Sequence, residues 1–524
     1  MNKTGVHYTP EYIADFVVEK VGKYLVTKEP TILEPCLGEG VFIKSLRANL
    51  GENVAPIIDA VEICKETCEI SRKMFDSRLL KRITNIDFLR FNTKKKYDLI
   101  IGNPPYVNKK YMTNEQINAC AHLAGLVSSR PSKNITLKNL WTAFIVKSCS
   151  MLSDNGIVAF VLPSDIAHVN HAKPIKDHLK KIFSRIELYE LNDFVFDDAE
   201  QNAIIMIAVK RPGEAGLGVF HSNVYVKNSR VSERKIRLLN NLSPNKWTNY
   251  GLSRIEGDLL KRVNNELYQV KEFCNSYAGI VTAANDYFIL NEEELDKHGL
   301  RKYAVPIIQK AAYVNGSVAF GKREWEVLRK SNSPCFLLDF SKGSNRSAKA
   351  KKYLSLGIEN KVHDRYKCKA REEWCNVPNI NTAEGFFFKR CHLYPKLIMN
   401  NADICVTDTA YSVYMNNGYN LRSLIYSFYN SFSLVYSEIL GRKYAGGVLE
   451  LTPSEFRNIP LPYVEINGSD FTEFKNKFSG KDNISKFISD NNKLILRDGL
   501  GLDSVDVRRI HGIYQKIISR RLNN

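Results

Sequence analysis

The amino-acid sequence predicts an α/β fold: an open, mostly parallel sheet with helices between its strands, followed by a second domain. Three observations predict it. Apolar runs beginning at Thr31, Ile57, Ile83 and Tyr97 alternate with helical patterns, the arrangement that produces parallel strands joined by crossovers. Each run stops at glycine, acid or proline, residues suited to a strand's carboxyl end, where open sheets bind ligands. The chain has 524 residues, 44% hydrophobic and 25% charged, which suits two domains or more, each with a full core.

The elements follow in order. Thr9 reads as the cap of a first helix, with Pro10 at the first helical position, where a missing N–H costs nothing. Ile13, Phe16, Val17 and Tyr24 form its apolar face. Residues 31–42 give a short strand, the turn Gly38-Glu39-Gly40 and a helix start. Glycines let backbone approach a ligand, and a helix N-terminus offers N–H groups to a carboxylate. The third glycine of a dinucleotide fingerprint is absent, which counts against a nicotinamide enzyme. The strand from Ile57 ends in Glu62, an acid placed to accept ribose hydroxyls. The run from Ile83 ends in Asp87-Phe88, an acceptor for an amino group beside a ring.

The strand at 97–101 runs into Gly102 and then Asn103-Pro104-Pro105-Tyr106. Two prolines lack N–H groups and fix φ, so the chain leaves the sheet as a stiff, extended turn. That turn presents an amide, a carbonyl that helix cannot take up, and an aromatic ring. Residues 139–147 begin a helix ending near 154–156, and 156–163 read as a further buried strand. A loop bearing Phe194 and Phe196 precedes a strand that runs to Val209. Residues 213–218 read as a loop or hairpin link, and a boundary is expected between about Arg237 and Gly251, dividing the chain into 1–240 and 241–524.

The formal net charge is +19, from 75 Lys and Arg against 56 Asp and Glu, which fits a polyanionic partner, nucleic acid first. The 11 cysteines show no paired zinc-ligand spacing and suit buried thiols in a reducing compartment. No apolar run reaches the length of a bilayer span and the N-terminus lacks a signal core, so a soluble cytoplasmic protein without metal is expected. In the second half, 342–371 is strongly basic, with Tyr353, Tyr366 and Trp374 interleaved. Such a stretch can neutralise phosphates and aim arginines at guanine edges. Residues 504–522 read as a basic helix.

Asn-Pro-Pro-Tyr after an apolar strand resembles the catalytic motif of S-adenosylmethionine-dependent methyltransferases acting on planar nitrogen, above all type II DNA adenine-N6 modification methylases. Tyr8-Thr9-Pro10 ahead of the first strand resembles the gamma order of their motifs. The turn Glu34-Pro35-Cys36-Leu37-Gly38-Glu39-Gly40 keeps the acid, the proline and two glycines of the family but departs between them. The resemblance implies a class I, Rossmann-like, seven-stranded mostly parallel sheet and a separate α+β target-recognition domain. It implies cofactor contacts from Tyr8, Thr9, Pro10, Glu34, Cys36, Gly38, Gly40, Glu62, Ile63, Asp87, Phe88, Asn103 and Pro105, with S-adenosyl-L-methionine as cofactor. Asn103, Pro104, Pro105, Tyr106 and Phe196 would act on the target base, with Phe194 as alternative to Phe196. Residues 277–288, the pattern Arg365-Tyr366-Lys367-Cys368-x-x-Arg371-x-x-Trp374, 444–447 and 453–462 are similar to the family's second domain, and Arg365, Lys367, Arg371 and Trp374 are the candidate DNA contacts.

The activity implied is transfer of a methyl group to adenine N6 in duplex DNA, with the base rotated out of the stack. The partners implied are double-stranded DNA and a separately encoded cognate endonuclease, with a monomeric chain and no membrane. The same tetrapeptide also occurs in methyltransferases for RNA or protein glutamine. A restriction–methylation fusion, a non-enzymatic DNA-binding scaffold and cytosine N4 methylation are the other readings the residues leave open.

Overall fold

The structure, a computed structural model, describes residues 8–522 except 52, 78–79, 128–136, 169–171, 192–202, 214–215, 228, 240–241, 243–246, 248–250, 342–345 and 481–482. The chain divides into two compact units, Met1–Asn249 and Tyr250–Asn524.

The first unit is built on one sheet. Its strands are β1 (Thr31–Glu34), β2 (Ile57–Glu62), β3 (Leu80–Asn85), β4 (Tyr97–Gly102), β5 (Leu152–Pro163), β6 (Arg185–Leu191), β7 (Ala203–Val209), β8 (Gly218–Lys227), β9 (Arg230–Glu233) and β10 (Arg237–Leu238). The order is β10-β8-β6-β7-β5-β4-β1-β2-β3, with β9 paired to β8. β1 pairs in parallel with both β2 and β4. The chain therefore winds outward in one direction through β2 and β3 and in the other through β4 and β5. A crevice opens at the carboxyl ends where the two windings part. β7 runs antiparallel to both β5 and β6.

The helices are α1 (Glu11–Gly22), α2 (Val41–Asn49), α3 (Lys65–Met74), α4 (Asn114–Val127), α5 (Leu140–Ser150), α6 (Asp165–His168) and α7 (Lys173–Ile182). Successive strand residues point to opposite faces, and the core divides accordingly. Leu99 and Ile101 of β4 join Ile13, Val17 and Phe42 of α1 and α2 on one face. Ile100 joins Leu123, Trp141, Ile145 and Leu179 of α4, α5 and α7 on the other. Glycine ends β4 because a Cβ on Gly102 would lie 3.3 Å from both Cys36 Sγ and Pro35 Cδ.

Three expectations are corrected. The sheet has ten strands rather than seven, since the chain beyond the 213–218 link continues it as β8, β9 and β10. β5 starts at Leu152, ahead of Gly156, because α5 stops at Ser150. Pro10, not Thr9, caps α1, and the Pro10 carbonyl accepts the N–H groups of Ile13 and Ala14. The Thr9 side chain is engaged elsewhere, as described below.

The second unit mixes sheet and helix. A five-stranded sheet takes the order Cys274–Ala278, Ala410–Met415, Gly385–Phe388, Leu397–Asn400, Ala319–Phe320. The helices Ser431–Leu440 and Ser504–Leu522 pack together, and the buried Arg521 guanidinium bonds both Glu438 carboxylate oxygens, at 2.9 and 3.0 Å. No described helix is long and apolar enough to cross a membrane.

Candidate active site

The carboxyl ends of β1 to β4 surround a cavity of about 540 Å³, the size of a small-molecule site. At the end of β1, Glu34 is buried, and its Oε2 has no hydrogen-bond partner among the described residues. Burial and the nearby Glu62 carboxylate raise its carboxyl well above the usual range. Burial likewise pushes the Cys36 thiol up, reinforced by Glu34 and Glu62, so it stays protonated and is a poor nucleophile.

The following turn is fixed before any ligand arrives. Leu37 N–H donates to Val61 O at 3.1 Å. Gly38, at φ 50°, donates its N–H to Glu62 Oε2 at 2.9 Å, and Cys64 N–H donates to Glu62 Oε1 at 2.8 Å. The acid that ends β2 thus ties two loops together while it faces the cavity.

Beyond β3, Asp87 Oδ1 accepts the Leu89 N–H at 2.8 Å, and its Oδ2 accepts Gln116 Nε2 of α4 at 2.9 Å. The Phe88 ring lies 4.8 Å from that of Phe144 on α5. Lys147, a turn further along α5, donates to Leu89 O at 2.8 Å with its Nζ 5.3 Å from the Phe88 ring centre. Burial pushes its amine down to about 8, against the opposing pull of Asp87. At the end of β4, Asn103 Nδ2 donates to Thr9 Oγ1 at 3.1 Å.

Of the residues the sequence proposed for the cofactor, Tyr8, Thr9, Glu34, Cys36, Gly38, Glu62, Ile63, Asp87, Phe88, Asn103 and Pro105 line this one cavity. Pro10 and Gly40 are not in its wall. Pro10 caps α1, and Gly40 caps α2 at φ 68°, where a Cβ would meet the Phe75 ring. Pro104 is buried beside the cavity, and Tyr106 is half-buried against the core on the α5 side. Burial also holds the Tyr106 phenol above its ordinary pKa. Phe194 and Phe196 lie outside the described residues. The sequence reading missed Gln116, Leu140 and Phe144, wall residues from α4 and α5. Their only signal was an apolar helix soon after the tetrapeptide, which reads equally as core.

The cavity wall carries four carboxylates, from Glu11, Glu39, Glu62 and Asp87, beside the buried Glu34 carboxyl and against the single lysine Lys44. This acidic site in a basic chain favours a cationic ligand over a phosphate-bearing one. Among the described residues no cluster of His, Cys, Asp or Glu is placed to hold a metal ion.

The second-unit candidates differ in their contacts. Arg365 pairs with Asp286 through two bonds of 2.7 Å. Arg371 donates to Val281 O, Thr282 O and Trp374 O at 3.0, 2.7 and 3.1 Å. The Trp374 ring packs 5.7 Å from Tyr287. Arg371 and Trp374 are half-buried against the unit itself, whereas Arg365 and Lys367 are exposed.

Comparison with known proteins agrees with this geometry. The family described as Eco57I restriction-modification methylase matches residues 49–199, and that described as Type II methyltransferase M.Eco57I, C-terminal domain, matches 244–496. The chain is 27% identical over 400 residues to Type II methyltransferase M.AccI of Acinetobacter calcoaceticus, covering 71% of this chain and 69% of that one. It is 30% identical over 213 residues to Type II methyltransferase M.CvrRI of Paramecium bursaria Chlorella virus XZ-6E, covering 40% of this chain and only 49% of the relative. A nuclease-deletion mutant of the Type ISP restriction-modification enzyme LlaGI, in complex with a DNA substrate mimic, shares the fold. Its TM-score is 0.51 at 12% identity, over 90% of this chain and 54% of that chain. Both family matches fall on successive parts of one chain, and with the curated relatives they support a type II modification methylase.

Proposed function

We propose that the chain methylates the exocyclic N6 of adenine in duplex DNA, with S-adenosyl-L-methionine as methyl donor. One observation carries the reading. Asn103 stands at the end of β4 in the same cavity wall as Glu62 and Asp87, with its amide turned by Thr9. The amide nitrogen donates to a hydroxyl, and in this reading the amide oxygen accepts from a substrate amino group.

The residues present fit the donor. Its positive sulfonium and ammonium suit a wall of carboxylates, and Glu34 brings a buried oxygen that lacks a partner among the described residues. Glu62 is placed for ribose hydroxyls, Asp87 for an amino group, and Phe88 with Phe144 for the flat faces of a base. When bound, the donor supplies an electrophilic methyl group.

The chain's own groups supply the rest. An adenine inside a duplex is out of reach, so the base leaves the stack at a cost of roughly a few kcal/mol. Asn103 Oδ1 and the Pro104 carbonyl accept hydrogen bonds from its two amino N–H groups. That pull draws the nitrogen lone pair out of ring conjugation and makes it nucleophilic, after which the amine loses one proton to solvent. Fixed acceptors and a stiff Pro-Pro turn need no rearrangement during the reaction, which is how preorganised dipoles lower a barrier. Tyr106 follows directly as a ring for the rotated base. Digestion of duplex DNA treated with enzyme and isotopically labelled donor should yield labelled N6-methyladenine. Label in N4-methylcytosine, in RNA or in protein glutamine instead would refute this reading.

A further inference from the structure

The pattern at 365–374 divides into two faces. Its inner side is a staple: Arg365 on Asp286, Arg371 on the carbonyls of Val281 and Thr282, and Cys368 fully buried with its thiol 3.9 Å from Thr282 O. The loop it holds contains Ala283 at φ 67°, a conformation a β-carbon disfavours and that persists only where the surroundings fix it.

The outer side is different in chemistry. Tyr366 opens the short helix Tyr366–Lys369 and is 88% exposed, the most exposed of the large apolar side chains described. Lys361, Lys367 and Lys369, within five residues of it along the chain, are exposed, and none of the three is in an ion pair among the described residues. Of the nearby carboxylates Glu373 takes Arg346 and Asp364 sits 3.6 Å from His363, leaving Glu359 and Glu372 against the three lysines. A large ring held out in water on an anchored turn is ordered before it meets a partner, so little conformational freedom is lost on binding.

Resting on the function proposed above, we propose that this outer face, Tyr366 with Lys361, Lys367 and Lys369, is where the second unit grips DNA. The ring lies against a sugar or base, and the ammonium groups meet the flanking phosphates. The staple residues that resemble the family most closely act only by holding this face in position.

The test uses the full chain, labelled donor and a linear mixed-sequence plasmid as DNA. Tyr366→Ala should raise the KM for DNA on the order of tenfold, with kcat, S-adenosylhomocysteine affinity and melting temperature unchanged. Tyr366→Phe should keep the wild-type KM, because the ring face and not the hydroxyl makes the contact. The pair Lys367→Gln and Lys369→Gln should reduce the slope of log affinity against log salt by about 2, close to one per phosphate contact. A wild-type KM in Tyr366→Ala, an equal loss in Tyr366→Phe, or an unchanged salt slope overturns the assignment while leaving the methylase reading in place. Absence of label in DNA from the wild-type enzyme overturns both.

Discussion

Asn103 Nδ2 donates to Thr9 Oγ1 across 3.1 Å, joining the end of β4 to a residue that precedes every strand of the sheet. The bond fixes the amide nitrogen on the Thr9 hydroxyl. Asn103→Ala should abolish methyl transfer while S-adenosylhomocysteine binding, read by calorimetry, stays near wild type. Thr9→Val should lower kcat on the order of tenfold, the scale of one hydrogen bond, and Thr9→Ser should restore it. Full turnover by Asn103→Ala would remove the amide from the mechanism.

Glu62 holds two loops through the N–H groups of Gly38 and Cys64. Glu62→Gln keeps the shape but loses the charge and one acceptor. The Kd for S-adenosylhomocysteine should rise roughly tenfold or more, since hydrogen bonds to a charged group are each worth ~1.5–3 kcal/mol. An unchanged Kd would show that the carboxylate serves the loops alone.

Glu34 gives a pH dependence with a definite sign. Its folded carboxyl titrates well above the ordinary value of 4.5, so the folded state holds a proton that the unfolded state gives up. Stability from this group is complete below pH 4.5 and is lost as pH rises toward the folded value. Glu34→Gln mimics the protonated form and cannot ionise. Its melting temperature relative to wild type should climb with pH above 4.5. A difference that stays flat across that range would contradict the burial of an uncompensated acid.

Arg371 and Arg365 separate by consequence. Arg371 satisfies three backbone carbonyls, and Arg371→Ala should cost about 2–3 kcal/mol in denaturant unfolding of the second unit. Arg365 makes a half-exposed pair with Asp286, and Arg365→Ala should cost less than about 1 kcal/mol. Equal costs would mean that the carbonyl bonds carry no weight.

The sequence read the strand ends well because their residue types are constrained by local chemistry. Glu62 and Asn103 each follow an apolar run that leaves little choice about where a strand stops, and eleven of the thirteen proposed cofactor residues line one cavity. Gln116 and Phe144 were not legible. They reach the cavity from helices whose rotation is set by packing, which a linear pattern does not encode. Arg371 and Trp374 show the same limit in reverse. A basic and aromatic stretch reads alike whether its side chains face water or fold inward, and only the carbonyls of Val281 and Thr282 decide it. β8 was not legible, because its pairing with β6 is decided by an open sheet edge and not by any local pattern after Gly218.

The turn that carries Tyr366 splits freedom to vary into two kinds. Side chains on its underside answer to the loop at 281–284 and change only at the expense of the fold. Those on top answer only to whatever lies against them. The upper positions can therefore drift, or be replaced by design, while the mould beneath keeps its form. A tolerant rim on a rigid mount is a ready graft point for redirecting which sequences a modification enzyme marks.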